Sequence, residues 1–106
     1  MPKYLVRANY TQSGLGGVLE EGGTGRKQAV SDLMASVGGT LESMYFAFGD
    51  TDAYVVVDLP DNVTAAGVAM LVTAAGGATT SITVLLTPEE ADAAAAVAAD
   101  YRPPGQ

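Results

Sequence analysis

Leu41-Glu42-Ser43-Met44-Tyr45-Phe46-Ala47-Phe48, then Gly49-Asp50-Thr51-Asp52, then Ala53-Tyr54-Val55-Val56-Val57-Asp58-Leu59-Pro60: two β-rich runs joined by a short polar turn decide the architecture of this chain. Glycine supplies the positive φ that such turns need, and aspartate side chains bond to nearby backbone N–H groups. The pattern predicts a β-hairpin with strands over about Thr40 to Phe48 and Ala53 to Leu59. Pro60 ends the second strand, because it has no N–H to donate to a ladder.

Upstream of the hairpin, Tyr4, Val6, Ala8 and Tyr10 alternate with Leu5, Arg7 and Asn9, which predicts a first strand. The segment from Thr11 to Gly25 holds six of the thirteen glycines and few apolar anchors, so it reads as a loop with at most one helical turn. Thr24 is placed to cap a helix beginning near Gly25. Val30, Leu33, Met34 and Val37 then make one buried stripe, with Asp32 and Ser36 outside, and Gly38-Gly39 stops the helix.

Downstream, Asp61 or Asn62 caps a second helix running from Val63 to Ala75, which is apolar almost all round and needs covering on more than one side. Gly76-Gly77 ends it, and Thr79 to Leu86 predicts a fourth strand. Thr87-Pro88-Glu89-Glu90 carries the N-cap, first-turn proline and capping-box glutamate of a third helix, Ala-rich through Ala99. Two β-α-β crossovers in this order predict an α+β, ferredoxin-like βαββαβ fold. That is a four-stranded antiparallel sheet with two helices on one face, plus a C-terminal helix. One domain over residues 1–100 and a flexible tail over 101–106 are expected. The other sheet face, with Tyr45 and Tyr54, is expected to be buried by self-association or to line a pocket.

Twelve acidic against five basic residues give a net charge of −7. That balance argues against nucleic-acid binding, which depends on neutralising phosphates. The chain has no cysteine and no histidine, so it lacks disulfides, thiolate metal sites, the commonest zinc ligand and the usual general base near pH 7. A histidine-activated serine nucleophile is excluded. The longest apolar stretch, Val63 to Gly77, falls short of the ~20 residues that span a bilayer. Met1-Pro2-Lys3-Tyr4 leads straight into the first strand without the apolar core of a secretory signal. These features lead us to expect a soluble cytoplasmic protein with no membrane, nucleic-acid, metal or cofactor partner.

Tyr10-Thr11-x-x-Gly14, Arg26, Gly38-Gly39, Tyr45-Phe46-Ala47-Phe48-Gly49-Asp50-x-Asp52, Leu59-Pro60-Asp61-Asn62 and Leu85-Leu86-Thr87-Pro88-Glu89-Glu90 occur in an order that resembles the GYD domain family, over about Lys3 to Glu90. The resemblance implies a ferredoxin-like domain, similar to the dimeric α+β barrel proteins, of uncharacterised function. Thr51 stands where the Gly-Tyr-Asp signature has its tyrosine, so no role of that ring carries over.

Four residues are singled out as ligand-binding candidates: Thr11, Arg26, Tyr45 and Asp52. Arg26, with Lys27, lies beside helix N-terminal N–H groups that favour an anion; a mobile loop with a solvated basic pair is the plainer reading. Tyr10, Tyr45 and Tyr54 offer phenols that need partners if buried, with Arg26, Glu42 or Arg7 available, although strand tyrosines more often serve a core or interface. Asp52 either caps the hairpin turn through backbone bonds or pairs with Arg26 or Arg7; turn chemistry accounts for it without help. Asp50, Asp52, Asp58 and Asp61 lack the spacing of a calcium loop. The leading expectation is a homo-oligomeric small-molecule binding or accessory protein, associating through the sheet face and the second helix. The alternative is a cofactor-independent monooxygenase-like enzyme of the dimeric α+β barrel kind, with Tyr45 and Arg26 lining its pocket. A signalling protein that reads anions through Thr11 to Lys27 is a third, weaker class.

Overall fold

Alternation in the first strand and the polar hairpin turn set the register of the whole sheet. The computed structural model describes residues 1–106. In chain order the elements are β1 (Lys3–Tyr10), α1 (Gln12–Ser36), β2 (Thr40–Phe46), β3 (Ala53–Asp58), α2 (Asn62–Ala75), β4 (Ala78–Leu85) and α3 (Pro88–Ala95). The four strands form one antiparallel sheet in the order β2-β3-β1-β4, the ferredoxin-like α+β arrangement. Tyr4, Ala8, Val55 and Val57 point from the central strands into the core under the helices, where Met34, Ala65 and Val68 meet them. The Tyr4 hydroxyl donates to Asn62 Oδ1 at 2.6 Å, so this fully buried phenol is satisfied at the first turn of α2.

Helix ends follow from the local chemistry. Asp61 caps α2 by accepting from Thr64 N at 2.8 Å, and Gly76 ends it in the left-handed region at φ 82°. Thr87 and Glu90 close a reciprocal capping box on α3, which stops at Ala95 and is shorter than the alanine run suggests.

The glycine-rich segment after β1 is helical, not a loop. Helix α1 begins at Gln12, capped by Thr11, whose hydroxyl accepts from Gly14 N at 3.2 Å; Thr24 is not the cap. A kink at Gly22, with φ 80° and ψ 166°, divides α1 into a glycine-rich first half and a second half that carries the apolar stripe. The first half forms despite poor propensity because it is tied to the α2–β4 turn. Thr11 N donates to Gly77 O at 3.0 Å and the Thr11 hydroxyl to Gly76 O at 2.7 Å. Gly14 lets the two backbones touch, since a Cβ there would overlap the Gly77 carbonyl.

Helix α3 buries none of its residues, and residues 97–106 are exposed. The radius of gyration is 16.8 Å against roughly 13 Å for a compact chain of this length, so the C-terminal arm stands away from the sheet.

Candidate functional site

The two crossover helices do not close over the sheet. Helix α1 packs on β2 and β1, α2 packs on β4, and the helices hardly touch each other. Between them a cleft of about 70 Å³ opens onto the central strands, floored by Val6, Ala8 and Val55 and walled by Val30, Val68 and Val72. Small side chains at Ala8, Ala53, Ala65, Ala69 and Ala78 border it. They carry too few atoms to fill the space between layers set by larger neighbours.

At one end the cleft runs into a second, more polar chamber of about 320 Å³ beneath the first half of α1. Tyr10, Arg26, Val72 and Ala78 border both spaces. Gly14, Gly17 and Glu21 complete one wall of the outer chamber, where glycine leaves the room a side chain would take. Arg26 and Glu21 form an ion pair of 3.5 Å across the Gly22 kink. Burial pushes the Tyr10 phenol above its ordinary pKa of 10.0, the Arg26 guanidinium pulls it back, and the Asp52 and Glu21 charges push it up again. The phenol is therefore a neutral O–H donor at pH 7. The junction offers a cation, a hydroxyl donor and one carboxylate at the edge of an otherwise apolar slot.

The four sequence-derived candidates separate here. Arg26 lines both spaces. Asp52 supports it indirectly: its carboxylate accepts from Tyr10 N at 2.9 Å, and its own N–H donates to Ala8 O at 3.0 Å and Asn9 Oδ1 at 3.1 Å. These bonds fix the end of β1 from which the Tyr10 ring enters the cleft. Asp52 is paired with neither Arg26 nor Arg7. Thr11 spends its hydroxyl on Gly14 and Gly76 and so builds the chamber wall. Tyr45 does not join them, because it pairs with Tyr54 across β2 and β3 on the opposite sheet face and is 71% exposed. Within the single chain, Tyr45 and Arg26 lie on opposite faces of the sheet and border neither the cleft nor the chamber together.

Glu42 and Asp58 both hold Lys3, at 2.8 and 2.9 Å, at the far end of the sheet. No group of three or more carboxylates converges, and no helix is long and apolar enough to cross a membrane. Thr51 is buried in the hairpin turn. Sequence reasoning offered Arg26 as one of three partners for Tyr10 without counting Tyr10 among the ligand-binding candidates, and it passed over Val68 and Val72 as cleft walls. The parity of β1, which places Tyr10 with Val6 and Ala8, carried the first signal; the splay of the helices left none.

No curated protein and no solved structure matches the chain. The family model for the GYD domain matches residues 4–95, from the first strand to the end of the last helix. The chain belongs to the GYD domain family.

Proposed function

We propose that this protein is a homo-oligomeric binding protein that holds a small, largely apolar molecule between α1 and α2. The observation that carries the reading is the cleft itself. Sixteen of its eighteen lining residues are hydrophobic, and it opens into a chamber with a few convergent polar groups, the usual make-up of a small-molecule site. The cleft's own volume of about 70 Å³ lies below the usual range of such sites and the adjoining chamber's 320 Å³ at its small end, so the ligand that fits is small. With Arg26, Thr80 and the Tyr10 hydroxyl as its only polar groups, and with no histidine or cysteine in the chain, the cleft favours binding over proton-transfer catalysis.

Self-association rests on surface area. A folded monomer of 10.7 kDa exposes roughly 5500 Å², whereas this chain exposes 7064 Å². The excess exceeds the ~800 Å² that each partner hides in an ordinary stable interface, and the exposed C-terminal arm supplies part of it. Apolar residues suited to such a contact lie on the outward side of α2, where Val63 and Met70 are 81% and 72% exposed, and on the open sheet face with Tyr45 and Tyr54.

Native mass spectrometry of freshly purified protein reads both halves together. The expected result is a dimer or larger assembly retaining a small additional mass that collisional activation strips off. A bare monomer at ~100 μM, where a micromolar complex would be well populated, would overturn the reading.

A further inference from the structure

The charge pattern at the cleft mouth narrows the class of ligand. Arg26 is the only charged residue lining the apolar cleft, and it also borders the outer chamber. Its ion-pair partner, Glu21, engages Nη1 through one oxygen at 3.5 Å, a longer contact than the 2.8 and 2.9 Å pairs at Lys3. A guanidinium presents five N–H donors in a planar fork that matches a carboxylate. Glu21 takes one donor and the Tyr10 oxygen lies where it draws on another, which leaves the fork without a bidentate carboxylate. Asp52, whose charge also acts on Tyr10, is committed to the backbone of Tyr10. The Tyr10 phenol borders the same junction and adds a neutral donor.

Resting on the proposal that the cleft binds a small molecule, we propose that this molecule is an amphiphilic monocarboxylate, whose acid group replaces the Glu21 carboxylate on Arg26 while its apolar body lies between α1 and α2. Glu21 is then a resident stand-in for the ligand's head group. A single guanidinium faced by one resident carboxylate balances one negative charge, which favours a monoanion over a phosphate dianion. Glu21 and Arg26 lie on opposite sides of the Gly22 kink, so the exchange also removes the ion pair that spans it.

The test compares octanoate, octanol and octyl phosphate in calorimetric titrations of the wild-type protein, Arg26→Gln and Glu21→Gln. Octanol measures the cleft alone. Octanoate should bind wild type about tenfold to a hundredfold more tightly than octanol, the range of a charge-assisted hydrogen-bonded pair. Arg26→Gln should erase that preference, so that octanoate binds the variant no more tightly than octanol binds the same variant. Glu21→Gln should widen the preference for octanoate over octanol, measured on the same variant, by up to about fivefold, the scale of a partly exposed ion pair removed from competition. The Glu21 side chain is outside the core, so this variant remains informative if Arg26→Gln does not fold. Octanol binding as tightly as octanoate would overturn the acid class and leave the cleft standing. Tighter binding of octyl phosphate would overturn the monoanion assignment, and failure of every compound to bind would overturn both proposals.

Discussion

Replacing Gly14 with alanine should destabilise the protein, although the same change two residues later should stabilise it. Both glycines lie in the first half of α1, where alanine gains about 1 kcal/mol of helix propensity. At Gly16 nothing lies within 4 Å of the added Cβ, so that gain is kept. At Gly14 the Cβ would stand 2.6 Å from the Gly77 carbonyl carbon and nearer still to its oxygen. The segments must part by about 1 Å, which stretches Thr11 N to Gly77 O and Thr11 Oγ1 to Gly76 O towards or beyond the ~3.5 Å limit of a useful hydrogen bond. Two net contributions of about 1 kcal/mol each are lost against the one gained, leaving Gly14→Ala about 1 kcal/mol less stable. Thermal denaturation followed by circular dichroism should place its midpoint about 4 °C below wild type and that of Gly16→Ala about 4 °C above. Equal stabilisation by both alanines would refute the close approach of α1 to the α2–β4 turn, and with it the wall of the outer chamber.

Asp52→Ala leaves the part-buried Tyr10 N–H without its acceptor and should cost about 1–3 kcal/mol in urea denaturation, whereas Asp52→Asn keeps an acceptor oxygen and should cost about 1 kcal/mol or less. The Thr64 backbone N–H holds the Asp61 carboxyl below its ordinary pKa of 3.8. A carboxyl lowered on folding stabilises the fold above pH 3.8 and stops doing so as pH falls through its folded value. Stability measured against pH across that window should therefore fall less steeply in Asp61→Asn than in wild type. Amide exchange over Leu15 to Glu21 should be at least about tenfold faster than over Val30 to Met34, because the first half of α1 buries no side chain and the second carries Met34 into the core.

The hairpin, the apolar stripe of α1 and the α3 capping box were legible because each depends on residues near one another in the chain. The strand ends were set about two residues too far along β2 because Phe48 continues the apolar run but leaves the ladder. The first half of α1 was not legible: its cap, Thr11, precedes six glycines whose local cost argues against a helix, and its anchoring partners are Gly76 and Gly77. A tertiary contact some sixty-five residues away overrode local propensity. Arg26 was visible as the basic residue of the site, but its neighbours depended on strand parity. Tyr10 shares the inward face of β1 with Val6 and Ala8, whereas the register shift between Leu41 and Ser43 helps place Tyr45 on the open face. The cleft itself comes from how far two helices stand apart, which no local pattern encodes.

Intermolecular nuclear Overhauser contacts between octanol and methyl-labelled protein test the binding reading most directly, because the ligand carries no charge that could draw it elsewhere. The account expects contacts to the methyls of Val30, Val68, Val72 and Ile82, which converge only in the cleft between α1 and α2. Contacts confined to Leu5 and Val56 on the open sheet face, or none at saturating octanol, would contradict it.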